Sequence, residues 1–304
     1  MEGSQKISQI SFLTTEDRNQ GIIKILQSIE LPSFDGKSVF IKPNLNSADP
    51  FPGSTHMDTL RTLILEVKKR GAKRIIVGDR SGMGNSREVM KNLGIFFMAD
   101  ELDFDVMVFD ELSKEEWKII RPPDGHWKKG FAIPKIISEV DCIIQTCCLK
   151  THRFGGHFTL SLKNSVGLVA KKIPGDNHNY MHELHLSIHQ RKMIAEINSS
   201  YTPDLVLLDG MEAFVKGGPA KGKLVSPKIF LAGKDRVAID ALGVALLRKF
   251  GTTVKVRKGP IFELEQIARA TELGLGASSP NQIKILTFDE ESRLLSKELM
   301  NQLI

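Results

Sequence analysis

Short apolar runs rich in β-branched residues alternate along this chain with segments of helical periodicity, and this alternation limits the folds open to it. Runs that are buried on both faces and separated by helices are typical of parallel strands in a covered sheet. Strands are predicted over residues 38–41, 74–78, 104–109, 141–146, 204–208, 228–231 and 282–287. Helices are predicted over residues 57–70, 134–139, 181–199, 236–250 and 261–273. The sequence therefore predicts an α/β fold with a mainly parallel sheet, helices on both faces and a ligand site at the strand ends.

The segment 57–70 illustrates how the chain crosses from one strand to the next. Its apolar positions recur at helical spacing, at Leu60, Leu63, Ile64 and Val67. Gly71 follows, at the place where a helix commonly ends, and the strand 74–78 comes directly after it. No internal repeat or low-complexity linker interrupts the chain, which favours a single integrated unit over 1–304, with a subdivision near residue 150 as the alternative.

Composition narrows the class of protein further. Hydrophobic residues make up 41% of the chain and no apolar run approaches the length of a membrane span, so we expect a cytoplasmic protein with no membrane partner. A net charge of +6 is a mild basic bias, and only two Tyr and two Trp are present to stack on bases, which argues against nucleic acid as a partner. The sequence leaves the oligomeric state open.

Three cysteines, Cys142, Cys147 and Cys148, lie close together and contain no CxxC pair. They are too few for a disulfide framework, which fits a reducing compartment, and no intrinsic iron–sulfur cluster is expected. Cys147 and Cys148 precede Lys150, where a thiolate would be a nucleophile, although buried packing is the more common role of such residues.

Polar residues directly follow five of the predicted strands. Ligands of parallel α/β sheets bind outside the carboxyl ends of the strands, so these residues are the first candidates for a site. They are Lys42 and Asn44, Asp79 with Ser81 and Gly82, Lys150 and His152, Asp209 with Gly210, and Lys234 with Asp235. Five such ends at one edge of the sheet predict a shared pocket.

The residue types at these ends favour an anionic ligand. The ammonium groups of Lys42, Lys150 and Lys163 each carry three donors, and nearby amides add neutral donors. Those amides belong to Asn44 and Asn164. The set suits a carboxylate or a phosphate, and the alternative is that each lysine is only a solvated strand-end charge.

Two glycine-containing loops could bring the backbone close to the same ligand. Gly82-x-Gly84 follows a strand but lacks the third glycine of a dinucleotide-binding fingerprint, because residue 87 is Arg. We interpret Ser81 and Gly82 as part of an anion-binding loop, with a purely structural turn as the alternative. The segment 217–222 is rich in glycine without the ending of a nucleoside-triphosphate loop, and it is predicted to be a flap that contacts the ligand.

Histidines are concentrated in the middle of the chain, and six of the eight lie between residues 152 and 189. On the predicted helix 181–199, His182, His185 and His189 are spaced i, i+3 and i+7 and would share one face. Such a face can bind zinc, nickel or iron, with Asp79 and Asp209 as further candidate ligands, or it can supply a general acid or base. A solvated polar face is the alternative.

Many short motifs along the chain occur in a characteristic order. They are Lys42-Pro43-Asn44-Leu45, Gly53, Thr55, Gly71-Ala72, Gly78-Asp79, Leu149-Lys150-Thr151-His152, Leu162-Lys163-Asn164, Gly167, Pro203-Asp204-Leu205, Asp209-Gly210, Gly217 to Gly222, Gly233-Lys234-Asp235 and Asp240-Ala241. In this order they resemble one family, the domain of unknown function numbered three-six-two. The resemblance runs from about residue 38 to residue 245, which is most of the chain.

The resemblance implies little about the reaction. Many members of that family carry a fused ferredoxin-like module with Cys-rich motifs for four-iron four-sulfur clusters, and this chain departs from them because it has no CxxCxxC run. The family is also distantly similar in layout to nickel-pincer lactate racemase, in which lysine and histidine hold the cofactor and histidines move the proton. That likeness is one of fold and does not establish chemistry.

We expect an enzyme that acts on a small carboxylated or phosphorylated compound through a racemase-like or isomerase-like proton transfer, with a divalent metal as an open option. The catalytic candidates are Lys150, Lys163, His152, His182 and His185. A cationic clamp would stabilise the enolate that develops in such a reaction. Two alternatives stay open: a redox or iron–sulfur-associated protein that works with a separate ferredoxin, and a non-enzymatic module that binds an anion or RNA.

Overall fold

Twelve strands and eleven α-helices are present in residues 7–304, the part of the chain that the computed structural model describes. The strands are β1 Ser8–Thr14, β2 Ser38–Lys42, β3 Arg74–Asp79, β4 Asp105–Val108, β5 Trp117–Ile120, β6 Phe131–Pro134, β7 Cys142–His152, β8 His157–Thr159, β9 Leu205–Gly217, β10 Gly222–Val225, β11 Ile229–Gly233 and β12 Ile283–Thr287. The helices are α1 Arg18–Gln27, α2 Met57–Lys69, α3 Ser86–Asn92, α4 Ile95–Leu102, α5 Ser161–Asn164, α6 Tyr180–Leu186, α7 Gln190–Ile197, α8 Arg236–Lys249, α9 Val254–Arg257, α10 Glu265–Glu272 and α11 Glu290–Leu303.

One large mixed sheet forms the centre of the molecule, in the strand order β12-β1-β11-β9-β7-β2-β3-β4. The block from β9 through β7, β2 and β3 to β4 is parallel throughout, and β1 is parallel to β12. β11 runs antiparallel to both of its neighbours, while the short strands β8 and β10 extend β7 and β9 as hairpins. The predicted α/β fold with a mainly parallel sheet is confirmed.

Apolar side chains cover both faces of this sheet, which explains why its parallel strands are nearly continuous hydrophobic runs. On one face, Leu63 of α2 belongs to the same buried cluster as Ile41 of β2. On the opposite face, Leu242 of α8 belongs to a cluster with Leu208 of β9. Packing on both faces holds β2, β3 and β7 side by side, so their carboxyl ends meet at one edge.

The predicted helix 181–199 is wrong as a single element. Two helices, α6 and α7, replace it, because Ser187 leaves the helical region with φ −74° and ψ 135°. His182 and His185 lie on α6, whereas His189 precedes α7 as its N-cap residue. Each helix buries its own apolar residues, Leu184 on α6 and Met193 and Ile194 on α7, so tertiary packing overrides a locally continuous helical pattern.

Smaller differences concern element lengths. The predicted helix 134–139 is a 3-10 turn over Lys135–Ser138, and the helix 261–273 is divided between a 3-10 turn at Ile261–Glu263 and α10. The strand predicted over 141–146 continues to His152, and β1 was not predicted. None of the helices in residues 7–304 is both long and apolar enough to cross a membrane.

Candidate functional site

A cleft lies at the carboxyl ends of β2, β3 and β7. Its empty volume is about 390 Å³, including solvent at its mouth. The part of its lining that the structure describes carries four cationic side chains and one carboxylate. The cations are Lys42, Arg80, Lys150 and Lys163, and the carboxylate is Asp79. We call this site the lysine cleft.

Lys42, the last residue of β2, uses all of its donors within the fold. Its Nζ lies 2.7 Å from Asp79 Oδ1, and it donates to Pro43 O at 2.7 Å and to Asn164 Oδ1 at 3.3 Å. Burial lowers the pKa of Lys42, and the Asp79 charge counteracts this effect. Because an ammonium group has three donors, Lys42 brings charge to the cleft but leaves no donor for the predicted anion.

Lys150, on β7, keeps one donor free. Its Nζ donates to Asn44 Oδ1 at 3.0 Å and to the carbonyl oxygen of Gly53. Asn44 Nδ2 donates to Asn164 Oδ1 at 3.3 Å, and Asn164 Nδ2 donates to Thr146 O at 3.0 Å. Burial lowers the pKa of Lys150. The two amides, which were predicted to bind the anion, therefore first position the lysines that surround it.

Lys163 differs from the other cations of the cleft. It lies on α5, is only 8% exposed, and forms no hydrogen bond or ion pair with any residue of 7–304. Burial, followed by the charges of Lys150 and Arg80, lowers the pKa of Lys163 to about 7. Its stem packs on Gly156, where an added Cβ would lie 2.4 Å from Lys163 Cε. Lys163 is thus a desolvated cation that an anionic ligand would stabilise.

A carboxylate from α8 fixes the short helix that carries Lys163. Asp240 accepts hydrogen bonds from the Ser161 amide at 2.7 Å, from the Ser161 hydroxyl at 2.6 Å and from the Leu162 amide at 3.2 Å. Asp240 is fully buried, and burial raises its pKa to about 7. These bonds satisfy the free N–H groups at the start of α5, so Asp240 determines where Lys163 and Asn164 lie.

His152, the last residue of β7, lies in the lysine cleft as a neutral imidazole. It is 8% exposed, and its Nδ1 has no hydrogen-bond partner among the residues that the structure describes. Burial, reinforced by the charges of Lys163 and Lys150, lowers the pKa of His152 far below its usual range. His152 is therefore uncharged at neutral pH, and its buried Nδ1 has an unused hydrogen-bonding position.

Arg80 is a residue of the site that the sequence analysis did not select. Its Nε donates to Val169 O at 2.7 Å and its Nη2 donates to Val166 O at 2.8 Å, so it anchors the turn that follows α5. That turn places Gly167 against Asp79, where an added Cβ would lie 2.3 Å from Asp79 Oδ1. The position of Arg80 directly after Asp79 was the available signal, because strand-end residues are the usual site candidates.

The two loop residues predicted to bind an anion have different positions. Gly82 lines the cleft, and an added Cβ there would lie 2.3 Å from Asn46 Oδ1. Ser81 is buried outside the lining and donates its hydroxyl to Leu45 O at 2.7 Å, so it stabilises the loop instead of facing a ligand. The glycine-rich turn between β9 and β10 brings Pro219 into the cleft wall, as a flap would.

The histidines predicted to share one helical face are spread over two elements. His182 is exposed. His185 is also exposed, but partial burial and then the charge of the nearby Lys163 lower its pKa. The His189 ring packs against His126, with 4.5 Å between the ring centroids. Of the three, His185 is the one that the fold brings close to the lysines.

The candidate metal ligands are not assembled into one site. Asp79 is paired with Lys42, and Asp209 is paired with Arg18 on another part of the sheet. Within residues 7–304, no group of three or more His, Cys, Asp and Glu side chains is placed so that it could hold a metal ion. The structure therefore does not bring His182, His185, His189 and the two aspartates together at one place.

The prediction that five strand ends share one edge is wrong for β11. This strand is antiparallel to β9, with Gly233 opposite Val206 and Ile229 opposite Gly210. Lys234 and Asp235 consequently follow β11 at the opposite edge of the sheet. Strand direction, which periodicity does not reveal, accounts for this error.

The cysteines at the end of the buried strand are buried thiols. Burial raises the pKa of Cys148 to about 11 and raises that of Cys147 well above its usual value. Both residues are therefore protonated at neutral pH, the state in which a thiol is a poor nucleophile.

Comparisons with known proteins agree with the motif order. Residues 39–245 match the family described as Domain of unknown function (DUF362), which confirms the family resemblance. A thylakoid-associated protein from Synechocystis sp. is 25% identical over 224 residues, so the match spans 72% of this chain and 65% of that relative. Lactate racemase apoprotein from Thermoanaerobacterium thermosaccharolyticum is similar with a TM-score of 0.47 and 16% identity, over 80% of this chain and 58% of that one.

Proposed function

This chain belongs to the DUF362 family, and from the geometry of its lysine cleft we propose that it is an enzyme that binds a small carboxylated or phosphorylated compound and moves a proton beside the anionic group. The observation that carries the proposal is the Lys163 side chain, which is only 8% exposed and whose ammonium group forms no hydrogen bond or ion pair with residues 7–304. A buried cation is costly unless an anion compensates it. The bound ligand would supply that anion.

The free donors of the cleft identify the anion-binding groups. Lys163 offers all of its N–H groups and Lys150 offers one, whereas the fold engages every donor of Lys42 and four of the five donors of Arg80. The engaged cations still contribute to a positive potential that concentrates anions in the cleft. We therefore assign binding of the anion to Lys163 and Lys150.

Lys163 is also the group best suited to carry a proton. General acid–base catalysis is most efficient when the catalytic pKa lies near the working pH, and the pKa of Lys163 is about 7. In the form of the complex in which Lys163 is the free amine, Lys150 alone holds the anionic group. Lys163 then takes a proton from the carbon beside the carboxylate, and the Lys150 ammonium stabilises the developing enolate. His152, whose pKa is strongly depressed, stays neutral and orients the ligand.

The residues of the lysine cleft do not fit a divalent metal ion held by the protein alone. His152 and Asp79 are the lining residues of the types that such ions favour, and Asp79 is already paired with Lys42. Surrounding ammonium groups would also repel a cation. The proposed step therefore uses side chains only.

Hydrogen–deuterium exchange at carbon tests the proton transfer directly. A panel of small 2-hydroxy, 2-amino and 2-keto acids is incubated with the protein in deuterium oxide, and loss of the proton signal beside the carboxylate is followed by NMR. We expect exchange in at least one acid, and its loss in Lys163→Ala. Lys234→Ala, which changes an exposed lysine at the opposite edge of the sheet, is the matched control. Binding of acids without any exchange would reject the proton transfer while leaving the anion site intact.

A further inference from the structure

A cationic hairpin lies beside the lysine cleft. β9 and β10 form it, and Lys216 and Lys223 are direct partners across the two strands. Both lysines are exposed, and neither forms an ion pair with any residue between 7 and 304. Like charges directly opposite each other on antiparallel strands are destabilising, so folding alone does not account for this pair.

Two more exposed cations adjoin the pair. Lys221 lies in the turn of the hairpin, and Arg153 follows β7, where its amide donates to Gly218 O at 3.4 Å. Neither of them is paired with a carboxylate in the described part of the chain. The hairpin and its neighbour thus form a surface of uncompensated positive charge, which concentrates anions.

The hairpin is continuous with the lysine cleft. Its turn brings Pro219 into the cleft wall, and β9 pairs with β7 so that Phe214 lies opposite Lys150. β9 has an irregularity between Phe214 and Lys216, because their partners Leu224 and Lys223 are consecutive residues of β10, and the turn of the hairpin begins directly after Lys216. Since a strand rises about 3.3 Å per residue, Lys216 lies at most about 10 Å from Pro219.

We propose that the ligand of the lysine cleft carries a second anionic group, a phosphate or a carboxylate, which the hairpin binds through Lys216 and Lys223. The inference rests on the proposed function, because it takes the first anionic group to be held by Lys163 and Lys150. It defines the ligand as a compound with two anionic groups, one held in the cleft and one held on the hairpin.

Titration calorimetry with hexanediol bisphosphate and with hexyl phosphate separates the two contacts. We expect the wild-type protein to bind the bisphosphate about tenfold more tightly than the monophosphate. The double variant Lys216→Gln/Lys223→Gln should bind both probes with the wild-type affinity for the monophosphate. The control is Lys234→Gln/Lys284→Gln, which removes one exposed lysine directly after β11 and one on β12. It should keep the wild-type ratio of the affinities for the two probes.

The outcomes distinguish this inference from the proposed function. Equal affinity of the wild-type protein for the two probes, with both lost in Lys163→Met, would overturn the second anionic contact and leave the first in place. Unchanged binding of hexyl phosphate by Lys163→Met, or no binding of either probe by the wild-type protein, would overturn the proposed function and this inference together. Circular dichroism of each variant confirms that it is folded.

Discussion

The lysine cleft and the histidine-rich segment 178–189 differ in how far their ionisable side chains are compensated by counter-charges or by water. In the cleft, Lys163 is buried, finds no counter-charge among the described residues, and has a pKa of about 7. In the segment, His178 lies 2.7 Å from Glu183 and His182 is exposed to water. A group that the fold leaves uncompensated needs a ligand, whereas a paired or solvated group does not. Free donors are therefore a better guide to a site than a local abundance of histidine.

Replacing the uncompensated lysine should have the largest effect on stability. The pKa of Lys163 falls from 10.5 to about 7 on folding, so between those values the folded protein binds fewer protons than the unfolded chain. Stability therefore rises with pH across this window, and the buried charge costs most below pH 7. Lys163→Met should raise the free energy of unfolding by about 4 kcal/mol at pH 6 and by much less at pH 10.

Urea denaturation at the two pH values measures this difference, and Lys234→Met, an exposed lysine outside the cleft, should be unchanged at both. A Lys163→Met variant that is less stable than the wild type at pH 6 would mean that the charge of Lys163 stabilises the folded state.

Lys42→Met should change stability in the opposite direction, although the same kind of side chain is removed from the same cleft. Lys42 compensates the buried Asp79 carboxylate, which would be left without its partner. Removing one member of a buried ion pair costs about 3 kcal/mol. Urea denaturation at pH 7 measures the loss, and Lys42→Met/Asp79→Asn should recover part of it. Equal stability of Lys42→Met and wild type would contradict the structural role of this lysine.

Ligand binding offers a direct contrast between the two regions. Lys163→Met should weaken the binding of inorganic phosphate by about 100-fold, or about 2.7 kcal/mol, because it removes the free donors of the cleft. The triple variant His182→Ala/His185→Ala/His189→Ala should bind phosphate within about threefold of wild type. His182 and His185 are exposed, His189 packs against His126, and none of the three lines the cleft. Calorimetry measures both affinities, and a greater loss in the triple variant would reverse the comparison.

The pH dependence of binding gives a smaller effect with a defined sign. In the ligand-free protein, the pKa of Lys163 is about 7. A bound anion raises that pKa, so the protein takes up a proton when it binds the anion. Phosphate affinity should therefore fall by up to about tenfold for each pH unit above 7. Calorimetry in buffers of different ionisation enthalpy measures the uptake. Lys163→Arg, which stays charged, should bind without it. A wild-type affinity that is constant from pH 7 to pH 9 would contradict the assignment.

The smallest expected effect concerns the hairpin. Lys223→Glu converts the repulsion between Lys216 and Lys223 into an attraction, and should stabilise the protein by about 0.5 kcal/mol. Thermal unfolding at low salt measures the gain. Lys284→Glu on β12 makes the same change in net charge away from the hairpin, and it should leave stability unchanged. A Lys223→Glu variant less stable than the wild type would show that repulsion between Lys216 and Lys223 does not destabilise the hairpin.

Much of the fold and part of the site could be predicted because they depend on patterns within short stretches of sequence. The apolar runs of β2, β3 and β7 were recognised by composition, and the rule that ligands bind beyond parallel strands then selected Lys42, Asn44 and Lys150. Lys163 and Asn164 follow no predicted strand, and they were selected by residue type and by the motif Leu162-Lys163-Asn164. These residues line the cleft together.

The remainder depends on contacts between distant parts of the chain. Nothing near Lys42 or Lys163 in sequence distinguishes them, and their different roles arise because Asp79 reaches only Lys42. The direction of β11 follows from the pairing of whole strands, so the separation of Lys234 from the cleft was not predictable from its neighbours. The break at Ser187 likewise follows from packing, since no Pro or Gly marks it.

The hydrogen bonds from α5 to Asp240 also have a consequence for biosynthesis. Asp240 lies 79 positions after Ser161, so the ribosome releases every lysine of the cleft before it releases the carboxylate that fixes α5. A nascent chain that ends at β9 already contains the cations but not the cap that positions Lys163. The position of Lys163 is therefore fixed late, in the step in which α8 packs onto the sheet.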